Sequence, residues 1–293
     1  MMAPGCPAPA SNAAMHDPTT NEVPAYGVRE REPEGDDTHL HAEELRRDGF
    51  TVMPRVFDAD TMLDAAHRLD ALLERQTAEC GGEALLQRAR DADLVRCPLA
   101  YDEQLLALAR PASVMALMQR MLGDHFVLLM QNAVINRPQR QQAQSRYHRD
   151  LNYQHWTSSR ALALNFLVCV DRFYVDGGAT WVLPGSHRID VFPSSRYVAR
   201  HEVPIEAEPG AVVLMDAMLF HRSGHNRSAD HVRRAVNHVV GAPFMAQQID
   251  VPRLLAQHGR DHHEDPFLSR YLGYRWNPAP DVESWRQQRA HAD

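Results

Sequence analysis

The chain has 293 residues, of which 44% are hydrophobic, and its 31 basic and 38 acidic residues give a formal net charge of −7. Every basic residue is arginine, which excludes a Schiff-base lysine, a lysine-bound pyridoxal phosphate and the lysine of a phosphate-binding P-loop. The acidic balance indicates no nucleic-acid partner. No apolar run approaches the roughly 20 residues that a membrane span requires, so we expect no membrane association.

The four cysteines indicate neither a disulfide framework nor a zinc site. Cys6, Cys80, Cys97 and Cys169 form no Cys-x-x-Cys pair, and scattered thiols are typical of a reducing compartment. The beginning of the sequence lacks the basic and apolar regions of a secretory signal. We therefore expect a cytoplasmic protein.

The first part of the chain is predicted to be a loose arm followed by helices. Residues 1–38 are rich in Pro, Ala, Asn, Asp and Glu without an apolar period, which predicts a disordered or loosely attached arm. Asp58 or Asp60 can cap a long helix that ends at Gly81. Further helices are predicted over residues 41–48, 103–109 and 111–122, and a strand over residues 50–56.

After residue 124 the pattern changes to short β-rich runs between turn residues. The predicted strands cover residues 126–136, 145–149, 160–170, 179–183, 211–215, 218–222 and 233–240. Several short strands separated by turn residues indicate an antiparallel sandwich or barrel. We predict a single domain over residues 39–293, mainly β with flanking helices. Within it, a helical part (39–124) precedes the β core (125–245) and a C-terminal helical or lid segment (246–293).

A candidate metal site lies in the β-rich part. His148 and Asp150 are two residues apart, and residues i and i+2 of a strand share a face, so both side chains can reach one ion. His221, at the end of a later predicted strand, can supply a third ligand. Two histidines and one carboxylate on one side of a divalent ion are typical of iron(II) oxygenases.

The His-x-Asp pattern alone is weak evidence, because a chain with 17 histidines contains such triplets by chance. His263-Glu264-Asp265 is a second example, and residues 41–43 and 262–264 contain the Glu version. These three lie in polar segments without strand periodicity, so we interpret them as surface residues.

The sequence around the candidate ligands resembles the phytanoyl-CoA dioxygenase-like family of iron- and 2-oxoglutarate-dependent oxygenases. The matching segments run in the family's order and cover residues 131–136, 148–150, 176–180, 183–187, 221–228 and 233–235. The resemblance implies a double-stranded β-helix (jelly-roll, cupin-like) core and Fe(II) held by His148, Asp150 and His221. It further implies 2-oxoglutarate and O₂ as cosubstrates. A small-molecule substrate would then be oxidised at a C–H bond, most simply by hydroxylation, with release of succinate and CO₂.

The resemblance also implies residues that bind 2-oxoglutarate. A guanidinium shortly after the distal histidine binds the far carboxylate, since its planar fork matches that group. Arg233 and Arg234 are the candidates, and aligning Arg-Arg-Ala with the family's Arg-x-Ala selects Arg233. Further predicted contacts, each of which could instead serve only the fold, are Asn132, Asn136, Phe166 and Thr180.

Substrate contacts are predicted in the loop after the metal motif, at Tyr153, His155 and Trp156. One or two of the nearby arginines could bind an anionic group of the substrate, or all could be solvated; they are Arg137, Arg140, Arg146, Arg149 and Arg160. We expect Arg149 to point away from the iron, because residues 148 and 150 point toward it.

The sequence leaves three hypotheses about the function of the protein. The favoured one is oxygenation, because Asp150 stands where related halogenases have a small residue that admits chloride. The second is a zinc or manganese hydrolase or isomerase on a jelly roll that does not use 2-oxoglutarate. The third is a non-catalytic jelly-roll binding module, against which the intact ligand triad and Arg233 count.

Overall fold

The computed structural model describes residues 23, 25–32, 35–140, 143–151, 156–276 and 278–290. The chain separates into two units, Met1–Glu34 and Gly35–Asp293. No described residue of the first unit lies in a helix or a strand. Every described helix and strand therefore belongs to the second unit.

The first half of the second unit is mainly helical. Asp36 and Asp58 cap the first two helices, because their carboxylates accept hydrogen bonds from the backbone N–H groups of His39 and Thr61. The elements are α1 (Asp37–Arg47), β1 (Phe50–Met53), α2 (Ala59–Glu79), α3 (Glu83–Ala89), β2 (Leu94–Arg96), α4 (Pro98–Tyr101), α5 (Glu103–Ala107) and α6 (Ala112–Leu122).

The second half contains most of the strands and ends in helices. The elements are β3 (Val127–Asn136), β4 (Ala163–Cys169), β5 (Thr180–Val182), α7 (Ser195–His201), β6 (Val203–Pro204), β7 (Val212–Asp216), β8 (His221–Ser223), β9 (Arg233–Gly241), α8 (Val251–Gln257), α9 (Pro266–Tyr271) and α10 (Val282–Ala290). Short 3₁₀ turns occur at Ala143–Ser145 and Ser186–Arg188. Of the described helices, none is both long and apolar enough to cross a membrane.

Two antiparallel sheets form the β core. The larger has the order β1-β7-β4-β9-β3-β2, and the smaller has the order β6-β5-β8. Non-consecutive strands are neighbours in both sheets, as in a jelly roll. The predicted class, a mainly β jelly-roll core with flanking helices, is confirmed.

The two faces of the larger sheet have different partners, as the alternation along β4 shows. Leu164, Phe166 and Val168 pack into a core that also contains buried residues of α1, α2, α5 and α6. Leu167 and Cys169 point the other way, into a second core with residues of the smaller sheet. Helices therefore cover one face of the larger sheet, and the space between the sheets lies on the other.

The predicted strand over residues 145–149 is wrong in extent. Its first residue ends a 3₁₀ turn, and within the range only His148 pairs, in an isolated antiparallel bridge with His221. The side chains of residues 148–150 nevertheless alternate in direction as expected. Arg149 points away from the two candidate ligands that flank it, although it is buried rather than solvated.

Buried polar contacts hold the outer side of this segment. The Arg149 guanidinium lies 3.8 Å from the ring centroid of Phe220 and donates to the carbonyl oxygens of Ser186, at 2.9 Å, and Ile189. Asp216 is also buried, and its carboxylate accepts from the backbone N–H of Met218 at 2.8 Å. Burial raises the pKa of Asp216 to about 6, and the nearby Arg149 opposes this shift only in part.

We expect Asp216→Asn to stabilise the protein at pH 8. The pKa of Asp216 is raised in the folded protein, so its protonated carboxyl group contributes to the free energy of unfolding. This contribution is fully present below pH 3.8 and is lost as the pH rises through about 6. The amide keeps the acceptor for Met218 but carries no charge to desolvate, so the expected gain is about 1–3 kcal/mol. Denaturant unfolding of both proteins between pH 4 and pH 8 measures it. A gain that did not shrink toward pH 4 would contradict this explanation.

Candidate metal centre

The structure brings the three predicted ligands together. One ligand atom from each of His148, Asp150 and His221 lies within 4.8 Å of the other two, and among the described residues no other group of three or more His, Cys, Asp or Glu does so. The two imidazole centroids are 4.4 Å apart, and Nε2 of His221 is 3.8 Å from Oδ1 of Asp150. This spacing fits one divalent ion, with each donor about 2 Å from the metal.

Backbone hydrogen bonds fix the relative position of the ligands. The N–H of His148 donates to the carbonyl oxygen of His221 at 2.9 Å, and the N–H of His221 donates back to His148 at 3.1 Å. The N–H of Asp150 donates to Ala217 at 3.0 Å. Two stretches that are far apart in the sequence are thereby joined at the site.

Each imidazole is oriented by a carbonyl group of its own segment. Nδ1 of His148 lies 2.9 Å from the carbonyl oxygen of Arg146, and Nδ1 of His221 lies 3.0 Å from that of Leu219. A carbonyl oxygen only accepts, so Nδ1 carries the proton and the Nε2 lone pair is available to a metal. Burial and the neighbouring His221 lower the pKa of His148, which favours the neutral, ligating form.

A buried guanidinium points into the same cavity. Arg233, at the start of β9, is 2% exposed. Its Nε donates to the carbonyl oxygen of Gly178 at 3.2 Å, and one NH₂ group donates to the Ser223 hydroxyl at 2.6 Å. Burial lowers the pKa of Arg233 to about 10, so it remains protonated at neutral pH.

Arg233 has no acidic partner among the described residues, whereas Arg234 has two. Arg234 lies 2.7 Å from Asp70 and 2.9 Å from Asp171. An uncompensated buried cation is costly unless an anion binds beside it. The structure therefore places Arg233, rather than its neighbour, in the cavity as a cation that could bind an anionic ligand.

The predicted cosubstrate residues divide into those that line the cavity and those that do not. Thr180 lines it together with the three ligands and Arg233. Asn136 lies behind the cavity wall, where its Nδ2 donates to Ser223 at 3.2 Å and to the carbonyl oxygen of Gly224 at 3.0 Å. Asn132 lies farther along the same strand face, and its amide is 3.1 Å from that of Gln248.

Phe166 lies outside the cavity, which corrects its predicted contact with 2-oxoglutarate. Its ring stacks on His238 in the helix-facing core, with centroids 4.2 Å apart and planes 7° apart. Successive residues of a strand face opposite sides, so the neighbouring side chains of Asn165 and Leu167 line the cavity instead.

Of the three predicted substrate contacts, the structure describes only Trp156. Tyr153 and His155 lie outside the described residues. Trp156 is 39% exposed and is not among the residues that line the cavity.

None of the five candidate arginines for an anionic substrate lines the described cavity. Arg137 and Arg140 each lie 3.0 Å from the buried carboxylate of Asp93. Arg149 binds backbone carbonyls on the outer side of its segment, and Arg146 and Arg160 are exposed.

The sequence analysis missed three amide side chains in the cavity wall, Gln144, Asn165 and Asn237. Asn165 and Asn237 interrupt apolar runs that read as buried strands. A polar amide in such a run is a usable signal, because burying it without a function is unfavourable.

The phytanoyl-CoA dioxygenase (PhyH) family model matches residues 45–235. The chain belongs to the phytanoyl-CoA dioxygenase family. The uncharacterised protein Rv1501 of Mycobacterium tuberculosis is 30% identical over 214 residues, which cover 71% of this chain and 76% of that protein. The dioxygenase af480 of Aspergillus fumigatus is 27% identical over 245 residues, which cover 78% of this chain and 76% of the fungal protein.

A solved structure of similar fold is EctD from S. alaskensis with 2-oxoglutarate and 5-hydroxyectoine. The likeness has a TM-score of 0.57 at 22% identity and covers 69% of this chain and 75% of EctD. At this identity the likeness supports the fold.

The family assignment and the His-Asp-His site confirm the predicted enzyme class and cofactors. The protein is a 2-oxoglutarate-dependent dioxygenase whose metal is iron. This finding favours an oxygenase over the two alternatives, a hydrolase or isomerase without 2-oxoglutarate and a non-catalytic binding module.

We expect His148→Ala, Asp150→Ala and His221→Ala each to abolish turnover and to weaken Fe(II) binding by more than about 100-fold, since each removes a direct ligand. Metal titration of the purified variants measures the affinity. Circular dichroism and thermal unfolding without metal serve as controls for the fold. Full product formation by Asp150→Ala would refute the ligand assignment.

Proposed function

We propose that the protein hydroxylates a C–H bond of a small-molecule metabolite. In the balanced reaction, one oxygen atom of O₂ enters the product alcohol and the other enters succinate, while 2-oxoglutarate loses CO₂. The observation that carries the proposal is the combination, in one cavity, of a three-ligand metal site and the buried guanidinium of Arg233, which has no acidic partner in the described part of the chain.

The residues present fit the two groups that this reaction requires. The imidazoles of His148 and His221 and the carboxylate of Asp150 are donors that suit Fe(II). Arg233, oriented by the Ser223 hydroxyl, would hold the far carboxylate of 2-oxoglutarate. When bound, iron with 2-oxoglutarate and O₂ supplies the oxidising chemistry, which no side chain of the cavity possesses.

The remaining cavity residues bind and shield the reactants. Val134, Leu167 and Met215 contribute apolar side chains to the wall, which exclude water from the reacting groups. The Thr180 side chain adds a hydroxyl in the same cavity. We assign it a hydrogen bond to 2-oxoglutarate, as the family resemblance implies.

The charges of the described wall favour a neutral substrate group near the iron. Arg222 also lines the cavity, but its guanidinium lies 2.8 Å from the Glu202 carboxylate. Arg233 is reserved for the cosubstrate, which leaves the amides of Gln144, Asn165 and Asn237 as polar groups. Support for hydroxylation over halogenation comes from Asp150, which fills the position that chloride would need.

We expect Arg233→Ala to weaken 2-oxoglutarate binding by about 2–4 kcal/mol, roughly 30- to 1000-fold, because the dicarboxylate loses its charged partner. Fe(II) affinity should change little. The 2-oxoglutarate affinity of Arg233→Lys should lie between those of the wild type and Arg233→Ala. An ammonium group keeps the positive charge but cannot form the bidentate contact. Anaerobic titration of the iron-loaded protein with 2-oxoglutarate measures the affinities.

The matched control is Arg234→Gln, which removes a cation from the adjacent position on the opposite face of the strand. Its 2-oxoglutarate affinity should equal that of the wild type. Equal losses in the Arg233 and Arg234 variants would indicate a general effect of charge and would contradict the assignment.

Turnover under ¹⁸O₂ tests the reaction itself. The iron-loaded protein is incubated with 2-oxoglutarate and a panel of neutral metabolites, and succinate is analysed by mass spectrometry. We expect iron-dependent succinate with one ¹⁸O atom, faster formation with a true substrate, and an ¹⁸O-labelled alcohol product. His221→Ala should form none. Iron-loaded wild type that binds 2-oxoglutarate but never converts it to succinate would overturn the proposal.

A further inference from the structure

Asn165 lies at an unfavourable position for an asparagine. It is 2% exposed and sits inside β4, which pairs with β7 on one side and β9 on the other. Its neighbours in β4 are apolar except for Cys169 at the end. Asparagine is depleted in strands, and a buried amide must be hydrogen-bonded to avoid a desolvation cost. The side chain of Asn165 is therefore expected to have a role that depends on the residue it contacts.

The contact is with a metal ligand. Nδ2 of Asn165 donates to Oδ2 of Asp150 at 2.8 Å. Oδ1 of Asn165 is buried and has no hydrogen-bond partner among the described residues. An ionised carboxylate only accepts, so the contact also fixes which end of the amide faces Asp150. The described hydrogen bond of the Asn165 side chain is therefore the one to Asp150.

The two oxygens of Asp150 consequently have different surroundings. Oδ2 is occupied by Asn165, while Oδ1 is 3.8 Å from Nε2 of His221, on the side where the three ligand atoms converge. A carboxylate can bind a cation through one oxygen or through both. A hydrogen bond to one oxygen favours binding through the other.

We propose that Asn165 is a positioning residue that holds Asp150 as a ligand through the single oxygen Oδ1. Binding through both oxygens would use a coordination position that the cosubstrate needs. By occupying Oδ2, Asn165 keeps that position free and prevents the carboxylate from rotating. The inference rests on the metal centre of the proposed function. Its test measures metal binding without turnover, so the two proposals can fail separately.

The test uses Asn165→Leu, which has nearly the same shape but no donor, and Co(II) as the probe. We expect Co(II) affinity to fall by about 10- to 100-fold, as is typical when the partner of a metal ligand is removed. The visible d–d absorption of bound Co(II) depends on the number and arrangement of its donor atoms, so it should differ from that of the wild type once Asp150 binds through both oxygens. A role in packing alone would leave this spectrum unchanged.

A double-mutant cycle shows whether the effect passes through Asp150. In an Asp150→Ala background, which still has both histidines, Asn165→Leu should cause no further loss of Co(II) affinity. Full additivity of the two losses would refute the proposal. So would a single variant with wild-type affinity and spectrum.

Asn237→Leu is the matched control. Asn237 lines the same cavity from the adjacent strand. Within the residues that the structure describes, its buried Oδ1 has no partner, as in Asn165, but its side chain has no hydrogen bond to a metal ligand. Its Co(II) affinity and spectrum should match the wild type, and a loss equal to that of Asn165→Leu would contradict the proposal. Thermal unfolding verifies the fold of each variant. If Asn165→Leu does not fold, Asn165→Ala carries the same predictions.

Discussion

The antiparallel pairing of His148 with His221 is the contact on which the site depends. Two reciprocal backbone hydrogen bonds place these residues directly opposite each other, with both imidazoles on one side. Asp150 follows two residues later and shares that side. The rest of the jelly roll supplies the wall behind them, because the larger sheet closes the cavity from the opposite side. A change of one residue in this pairing would turn a histidine away from the metal.

The proposed binding of iron and 2-oxoglutarate would explain, through charge balance, why the guanidinium of Arg233 is buried in this cavity. Arg233 and Fe(II) together carry three positive charges, and Asp150 and 2-oxoglutarate together carry three negative ones. The loaded cavity is therefore neutral, whereas each group alone would be expensive to desolvate. This constraint links the two halves of the site. Binding of the metal and binding of the cosubstrate each reduce the cost of the charge that the other brings.

The family resemblance, read from the sequence, selected the three ligands and Arg233 ahead of Arg234, and the structure places these four side chains in one cavity. The sequence was insufficient for Phe166 and Asn165. These neighbours face opposite sides of β4, and the apolar run around them is buried on both sides, so periodicity cannot tell the faces apart. Asn132 illustrates a second limit. The sequence correctly predicted that Asn132 lies on the same face of β3 as Asn136. How far Asn132 lies from the cavity along the strand depends on pairing between residues far apart in sequence.

The segment that carries His148 and Asp150 is not a continuous strand, and its described backbone pairing comes from the side of His221 and Ala217. A metal ion bound to all three ligands joins this segment to β8 and acts as a cross-link. An ion that binds only the folded chain stabilises it by RT ln(1 + [M]/Kd). The stability of this segment is thereby coupled to the iron concentration. Scarcity of the metal would lower the stability of the protein as well as its activity.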